Sequence, residues 1–349
     1  MRTVVEGGAV MTAARRLKAS LKGWGGVGAM GVACALTAAF VLVPLREVPL
    51  TDTAATAGSG ASRGAYARAE ECTDPEKQSP APSGAESGTT IAAIKKRGHL
   101  VVGVDQNSYR WGYRDPNSED DKADLEGFDI DLAHRIADEI LGDREDNIRF
   151  RAVPTNQRVP AIRDEQVDMV VRTMTISCSR LKEVAFSAPY FRTGQQVLAP
   201  KSSTIEGYDE TLAEKKICTA TGSTALDTLE ADKEDGDLVS SAVISPPVPN
   251  QLDCLVRLQL GEVDAVVTDG ALAASQAAQD PTVELKGEPF TTEYYGVAMK
   301  KEATDLVRRV NQVLEDYRAS GWNDSYDKWL APTLGEDPST SRPPPPEYK

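Results

Sequence analysis

"RDEQVDMVVRT" (163–173) and "QLGEVDAVVTD" (259–269) share one layout. Each runs from a polar helix end through a turn into Val-Asp, then three apolar residues, then a polar residue that closes the strand. The first ends in Thr173 and the second in Asp269. Ligands of open α/β sheets sit beyond the carboxyl ends of the strands. Two α/β lobes of one design would thus hold Thr173 and Asp269 facing each other across a cleft. Val-Asp between helix and strand is also common enough to recur by chance, and both readings stand at this point.

The flanking sequence supports α/β architecture. "HLVVGVD" (99–105) reads as a short buried strand. "GFDIDLAHRIADEILGD" (127–143) reads as a helix, with Leu132, Ile136 and Ile140 on one face at four-residue spacing. Strand, short helix and strand follow in "IRFRAVP", "RVPAIRDEQ" and "VDMVV". "KKICTA", "STALDTLEAD", "QLDCLVRLQLGE" and "VDAVVTD" then repeat the alternation, which predicts mainly parallel sheets.

The chain has 349 residues, room for about two domains, with 53 acidic and 39 basic residues. A field of that sign repels nucleic acid and anionic lipid, so neither is expected as a partner. Two histidines, His99 and His134, leave little for a metal or Ser-His site, and no metal or cofactor is expected.

The N-terminus stands apart from the fold. Arg15, Arg16, Lys18 and Lys22 precede an apolar run, "GGVGAMGVACALTAAFVLVPL" (25–45), of spanning length. We read 1–24 as a cytoplasmic basic segment and 25–45 as an uncleaved transmembrane anchor or signal segment, with everything downstream exported. Cys34 lies inside this run without a convincing lipidation signal, and a secreted form remains an alternative. Residues 46–90 carry almost no large apolar side chains and read as a flexible stalk, while 333–349 read as a Pro-rich, extended tail. Cys72, Cys178, Cys218 and Cys254 have no CxxC spacing, so in an exported chain they read as disulfides, with three pairings open.

Three elements suit a small zwitterion. Arg180 follows the hydroxyl-rich turn with Thr173, Thr175 and Ser177, and a guanidinium can clamp a carboxylate with two parallel N–H bonds. In "TATGSTALDTLE" (219–230), Gly222 allows a close approach and Ser223 and Thr224 open a helix whose N–H groups attract anions. Asp269 at a strand end can bind an ammonium. Each has an ordinary structural alternative: a solvated arginine, a plain N-cap, a surface carboxylate. Together they suit a free amino acid. If its side chain is acidic, a further cation must meet it, and Arg158, Arg172, Arg110 and Arg114 are candidates.

"GFDIDLAHRIA", the Thr-rich turn ending in Arg180, "VAFSAPYF", "TGSTALDTL", "VDAVVTDG", "YYGVAMKK" and the closing "SGWNDSYDKWL" occur in the order seen in family 3 extracellular solute-binding proteins of ABC transporters. The chain resembles that family over about 91–332, and "VGVDQNSYRWGYRDP" and "RTMTISCSR" are most similar to actinobacterial glutamate- or glutamine-binding members. The resemblance implies a two-lobed, type II periplasmic-binding-protein-like α/β fold with a hinge and an interlobe ligand cleft. Lobe 1 would be 91–192 plus 294–332 and lobe 2 would be 193–293, crossing near 191–194 and 292–296.

It further implies that Arg180 grips the α-carboxylate and Asp269 the ammonium, with Thr173, Thr175, Ser223 and Thr224 completing the contacts. The position matching Arg158 reaches an acidic side chain in glutamate/aspartate-binding relatives, with a hydroxyl matching Thr155 nearby. Arg172 competes for that role, and Tyr113 joins the candidate contacts. Within such lobes, Cys218 ends a strand beside the helix of Cys254, which pairs those two and leaves Cys72 with Cys178. The expected activity is delivery of a free amino acid, glutamate or a relative (aspartate, glutamine, asparagine), to ABC permease subunits. The alternative is an amino-acid-sensing module reporting to a partner membrane protein. An enzyme on this fold would need an acid or base poised in the cleft, and no nucleophile–base pair stands out.

Overall fold

The structure, a computed structural model, describes residues 72–115, 124–336 and 341–349. The two Val-Asp segments make the same contacts in two separate sheets. Asp168 donates its N–H to the Val101 carbonyl at 2.8 Å and accepts the Val101 N–H on Oδ2 at 2.7 Å. Asp264 does the same with Lys216, at 2.8 Å each way. Each aspartate therefore locks its own strand to the start of the parallel neighbour, and the shared layout reflects a shared structural role.

The first sheet runs in the order Ile148–Ala152, Leu100–Val104, Met169–Val170, Ala298–Lys300, Val184–Phe186. The second runs Val243–Ile244, Lys216–Cys218, Ala265–Asp269, Gln195–Pro200, Val283–Lys286. Both are mixed rather than mainly parallel. Two neighbour pairs in each are parallel and two antiparallel. The cause is the connection between the lobes. The chain leaves the first sheet through Phe191–Thr193 and returns through Glu293–Tyr295, and these two strands pair antiparallel, Glu293 against Thr193 and Tyr295 against Phe191. Ala298–Lys300 and Gln195–Pro200, next along the chain, enter their sheets against the prevailing direction.

Aromatic packing fixes the crossover to the first lobe. The buried Trp111 ring meets Phe128, Phe191 and Tyr295 edge-on, at 5.6, 4.9 and 5.7 Å. Such pairs contribute about 1 kcal/mol each beyond burial. Trp322, on the Trp322–Trp329 helix, stacks over Phe191 and donates Nε1–H to the Tyr190 carbonyl at 2.8 Å. The Phe128–Leu141 helix buries Leu132, Ile136 and Ile140 as its spacing predicts, and His134 sits edge-on to Phe150.

Residues 72–90, assigned by composition to a stalk, lie against the first lobe instead. Buried Asn311 donates to Ser79 Oγ at 2.8 Å and to the Pro80 carbonyl at 2.6 Å, and accepts the Ala188 N–H at 2.8 Å. Ser79 in turn donates to the Phe186 carbonyl at 2.9 Å. The segment needs no apolar core of its own because a polar side chain of the lobe satisfies its backbone. The tail has no helix or strand over 341–349, yet it docks beside the same segment. Tyr348 donates to Glu315 at 2.5 Å and the Lys349 N–H to Ser79 O at 2.9 Å. The basic segment, the apolar run with Cys34 and residues 46–71 lie outside the described residues. Among the described residues no helix is long and apolar enough to cross a membrane.

Disulfides join Cys72 to Cys178 and Cys218 to Cys254, with Cα separations of 5.8 and 5.6 Å. Peptide mapping without reduction should recover both links, and a link from Cys72 to Cys218 or Cys254 would contradict this topology. Replacing both Cys218 and Cys254 by alanine should cost up to about 4 kcal/mol by the loop-entropy relation, read as a lower denaturation midpoint.

Candidate ligand-binding site

The site lies where the ends of the two Val-Asp strands meet the crossover. Thr173 follows its strand with φ +40°, a left-handed backbone rare for a β-branched residue. Asp129, in the first turn of the Phe128–Leu141 helix, holds it there by accepting the Thr173 N–H at 2.9 Å and the Tyr190 hydroxyl at 2.8 Å. Burial pushes the Asp129 carboxyl up to about 7, against the effect of both donors.

Arg180 rides on the short Cys178–Leu181 helix, capped by Ser177, whose hydroxyl accepts the Arg180 N–H at 3.3 Å. Its guanidinium is buried, donating to the Thr175 carbonyl at 2.7 Å and to the Gly222 carbonyl at 3.1 Å. Burial lowers its pKa, with Glu293 first among the charges that oppose the shift. Arg158 is buried beside it. It donates to the carbonyls of Thr155 (2.9 Å), Arg172 (3.3 Å), Thr173 (3.4 Å) and Gly222 (3.2 Å). Burial, then Arg180 and Arg172, holds its pKa well below the usual value. Among the described residues no carboxylate makes an ion pair with Arg158 or Arg180.

Arg172 is different. It is fully buried, pairs with Asp105 at 2.8 Å, and donates to Thr155 Oγ1 at 3.1 Å and Asn250 Oδ1 at 3.2 Å. Its charge is already met. Thr155 donates to Gln251 Oε1 at 3.1 Å and its N–H to the Pro249 carbonyl at 3.2 Å, so it binds the two lobes together. Gly222 has φ +74°, and a Cβ there would stand 2.9 Å from the Asn156 Cα, which explains glycine at this contact. Ser223 caps the Thr224–Asp235 helix, accepting the Leu226 N–H at 3.1 Å and donating to the Ala220 carbonyl at 2.7 Å.

Asp269 ends its strand and accepts the Tyr295 hydroxyl at 2.5 Å. Burial, and then the neighbouring Glu293, pushes its carboxyl up to about 8, while Arg158 and Arg180 act against the rise. A hollow of about 200 Å³ opens beside Arg158, Arg180 and Gly222, and Asp269 is not among its walls. The fold thus brings Thr155, Arg158, Arg172, Thr173, Thr175, Arg180, Ser223, Thr224 and Asp269 to one interlobe region. Tyr113 stands apart, edge-on to Tyr109 and Trp329. Arg110 donates to the Trp329 carbonyl at 3.0 Å, away from the cluster. Sequence reasoning missed Asp105, Asp129 and Glu293. Asp105 closes a strand as Thr173 and Asp269 do, a signal that could have found it. Asp129 and Glu293 carried none.

A carboxyl whose pKa rises on folding contributes stability that is fully present below its unfolded value near 4 and is lost as pH rises through the folded value. Without ligand, Asp269 should therefore lower the thermal midpoint as pH rises through about 8. Asp269→Asn keeps the acceptor for Tyr295 and should remove that part of the pH dependence. A wild-type-minus-variant difference that stays flat from about pH 6 to about pH 9 would contradict the assignment.

Residues 100–332 match the family model for bacterial extracellular solute-binding proteins, family 3. The ABC transporter glutamine-binding protein GlnH of Bacillus subtilis is 33% identical over 251 residues, covering 72% of this chain and 86% of that protein. Glutamate-binding protein GluB of Corynebacterium efficiens is 29% identical over 265 residues, covering 72% and 84%. Among solved structures, holo ArgBP from T. maritima superposes with a TM-score of 0.57 at 29% identity, covering 68% of this chain and 98% of that one. A solute receptor for L-cysteine from Neisseria gonorrhoeae gives 0.63 at 25% identity, covering 71% and 96%. The fold is that of a type II periplasmic binding protein, and the chain belongs to the family 3 bacterial extracellular solute-binding proteins.

Proposed function

We propose that this protein binds a free L-amino acid with an acidic side chain, glutamate before aspartate, and passes it to an ABC permease at the outer face of the membrane. The observation that carries this reading is the pair Arg158 and Arg180. Both are buried, and all their described partners are backbone carbonyls. A buried cation without a direct ion pair is costly, so two of them in one place call for anions from outside. Arg180 takes the α-carboxylate, Asp269 the α-ammonium, and Arg158 the side-chain carboxylate. Arg172, paired with Asp105, serves as the scaffold beneath Thr155. The relatives named for glutamine and glutamate support the ligand class.

In this reading lobe 1 comprises 91–192 with 294–332, lobe 2 comprises 193–293, and the two close about the crossover on the ligand. The apolar run 25–45 holds the protein at the membrane, with residues 46–71 as the spacer.

Calorimetry on the purified full chain should give heat with L-glutamate, and no heat with glutamate, aspartate, glutamine or asparagine would refute the ligand class. Arg180→Lys should weaken binding by about 2 kcal/mol, since a point charge replaces a two-point clamp. Arg158→Gln should cost glutamate much more than glutamine. Equal losses for the two ligands, or a wild type that binds glutamine as tightly, would remove acidic specificity from the account.

A further inference from the structure

Glu293 is buried in the site, and the reading above gives it no task. It sits on the returning crossover strand, where one carboxylate oxygen, Oε2, accepts the Thr175 hydroxyl at 2.6 Å and the Thr224 hydroxyl at 3.0 Å. Thr175 belongs to the turn before Arg180, and Thr224 opens the Thr224–Asp235 helix of the other lobe. Oε1 accepts the Gln195 amide Nε2–H at 2.6 Å. The carboxylate therefore holds three donors from three elements, on both sides of the crossover.

Hydroxyl chemistry makes this arrangement directional. A threonine hydroxyl has one proton and two lone pairs. With both protons given to Glu293, Thr175 and Thr224 turn only lone pairs toward the cleft. Gln195 Oε1, buried beside the same carboxylate, is a further acceptor with no donor among the described residues. A cluster of acceptors has use for a donor, not for a carboxylate. The hydroxyls of Thr175 and Thr224, as distinct from the backbone N–H groups at the helix start that suit an anion, thus belong to the ligand's cationic end.

We propose that Glu293 is the residue that makes the site specific for an ammonium group: it accepts the hydrogen bonds of the Thr175 and Thr224 hydroxyls, leaves both hydroxyls as acceptors toward the cleft, and adds its own charge to that of Asp269. The influence of Glu293 on Asp269 and Arg180 places it within electrostatic reach of both. The proposal rests on the amino-acid reading above and names the part of the ligand that these residues recognise.

Glu293→Gln tests it through polarity. Gln195 still needs an acceptor, so the new amide turns its oxygen to Gln195 and its NH₂ to the threonines. Both hydroxyls must then accept from that amide and point their protons into the cleft. Titrations with L-glutamate and with 2-hydroxyglutarate, which carries a hydroxyl in place of the ammonium, read the result. Glutamate affinity should fall at least about tenfold, while 2-hydroxyglutarate, whose hydroxyl can accept as well as donate, changes little. Thr175→Val combined with Thr224→Val keeps the shape, removes both acceptors and should show the same selective loss, even if Glu293→Gln fails to fold. Equal losses for the two ligands in either variant, or no loss for glutamate, would overturn the proposal. A wild type that binds neither ligand would instead overturn the amino-acid reading, and this proposal with it.

Discussion

The carbonyl oxygen of Gly222 accepts from Arg158 at 3.2 Å and from Arg180 at 3.1 Å. Gly222 lies just ahead of the second lobe's Thr224–Asp235 helix, and both arginines come from the first lobe, so this one acceptor ties the lobes together through the site's own cations. Everything nearby is arranged to permit the contact. Positive φ at Gly222 aims the carbonyl, and the missing side chain lets Asn156 approach. On the other side of the cleft, Asp129 fixes Thr173 in its left-handed conformation, and Thr173 in turn presents its carbonyl to Arg158.

A carbonyl is a weak counterpart for a guanidinium. Neutral acceptors satisfy the hydrogen bonds of Arg158 and Arg180, and among the described residues neither makes an ion pair, whereas Arg172 beside them is paired with Asp105. The carboxyl of Asp269 is the mirror case, raised by burial and by Glu293, and its direct partner among the described residues is the Tyr295 hydroxyl. Buried cations without an ion pair and a buried acid with a raised pKa in one cleft are what a zwitterion would reconcile. In the proposed binding mode its carboxylates would displace carbonyls, and its ammonium would favour the charged form of Asp269. Closure and ligand recognition would thus draw on the same few groups, as a hinge-bending binder requires.

What was legible in the sequence depended on how locally each feature is encoded. The Val-Asp segments, Arg180 after its hydroxyls, and the Ser223 cap are readable because strand end, turn and helix start are set by neighbours a few residues away. Cys218 and Cys254 could be paired because a strand and the helix packed on it are close in any lobe of this design. Glu293 was opaque, since its meaning comes from Thr175 and Thr224 at distances of 118 and 69 residues along the chain. Arg172, a candidate for the ligand's side chain, is paired with Asp105, a contact between residues 67 apart that local spacing does not report. Residues 72–90 looked unable to fold because composition measures a segment's own apolar content, and here Asn311 supplies the partners. The mixed sheets follow from the crossover, which periodicity does not report.

A crystal structure of the protein with L-glutamate bound tests the central claim most directly. The account predicts one ligand carboxylate on Arg180, the other on Arg158, and the ammonium among Asp269, Thr175 and Thr224, with carbonyl contacts of the two arginines given up. A complex in which Arg158 keeps its carbonyl partners and the ligand's side chain lies elsewhere would contradict it.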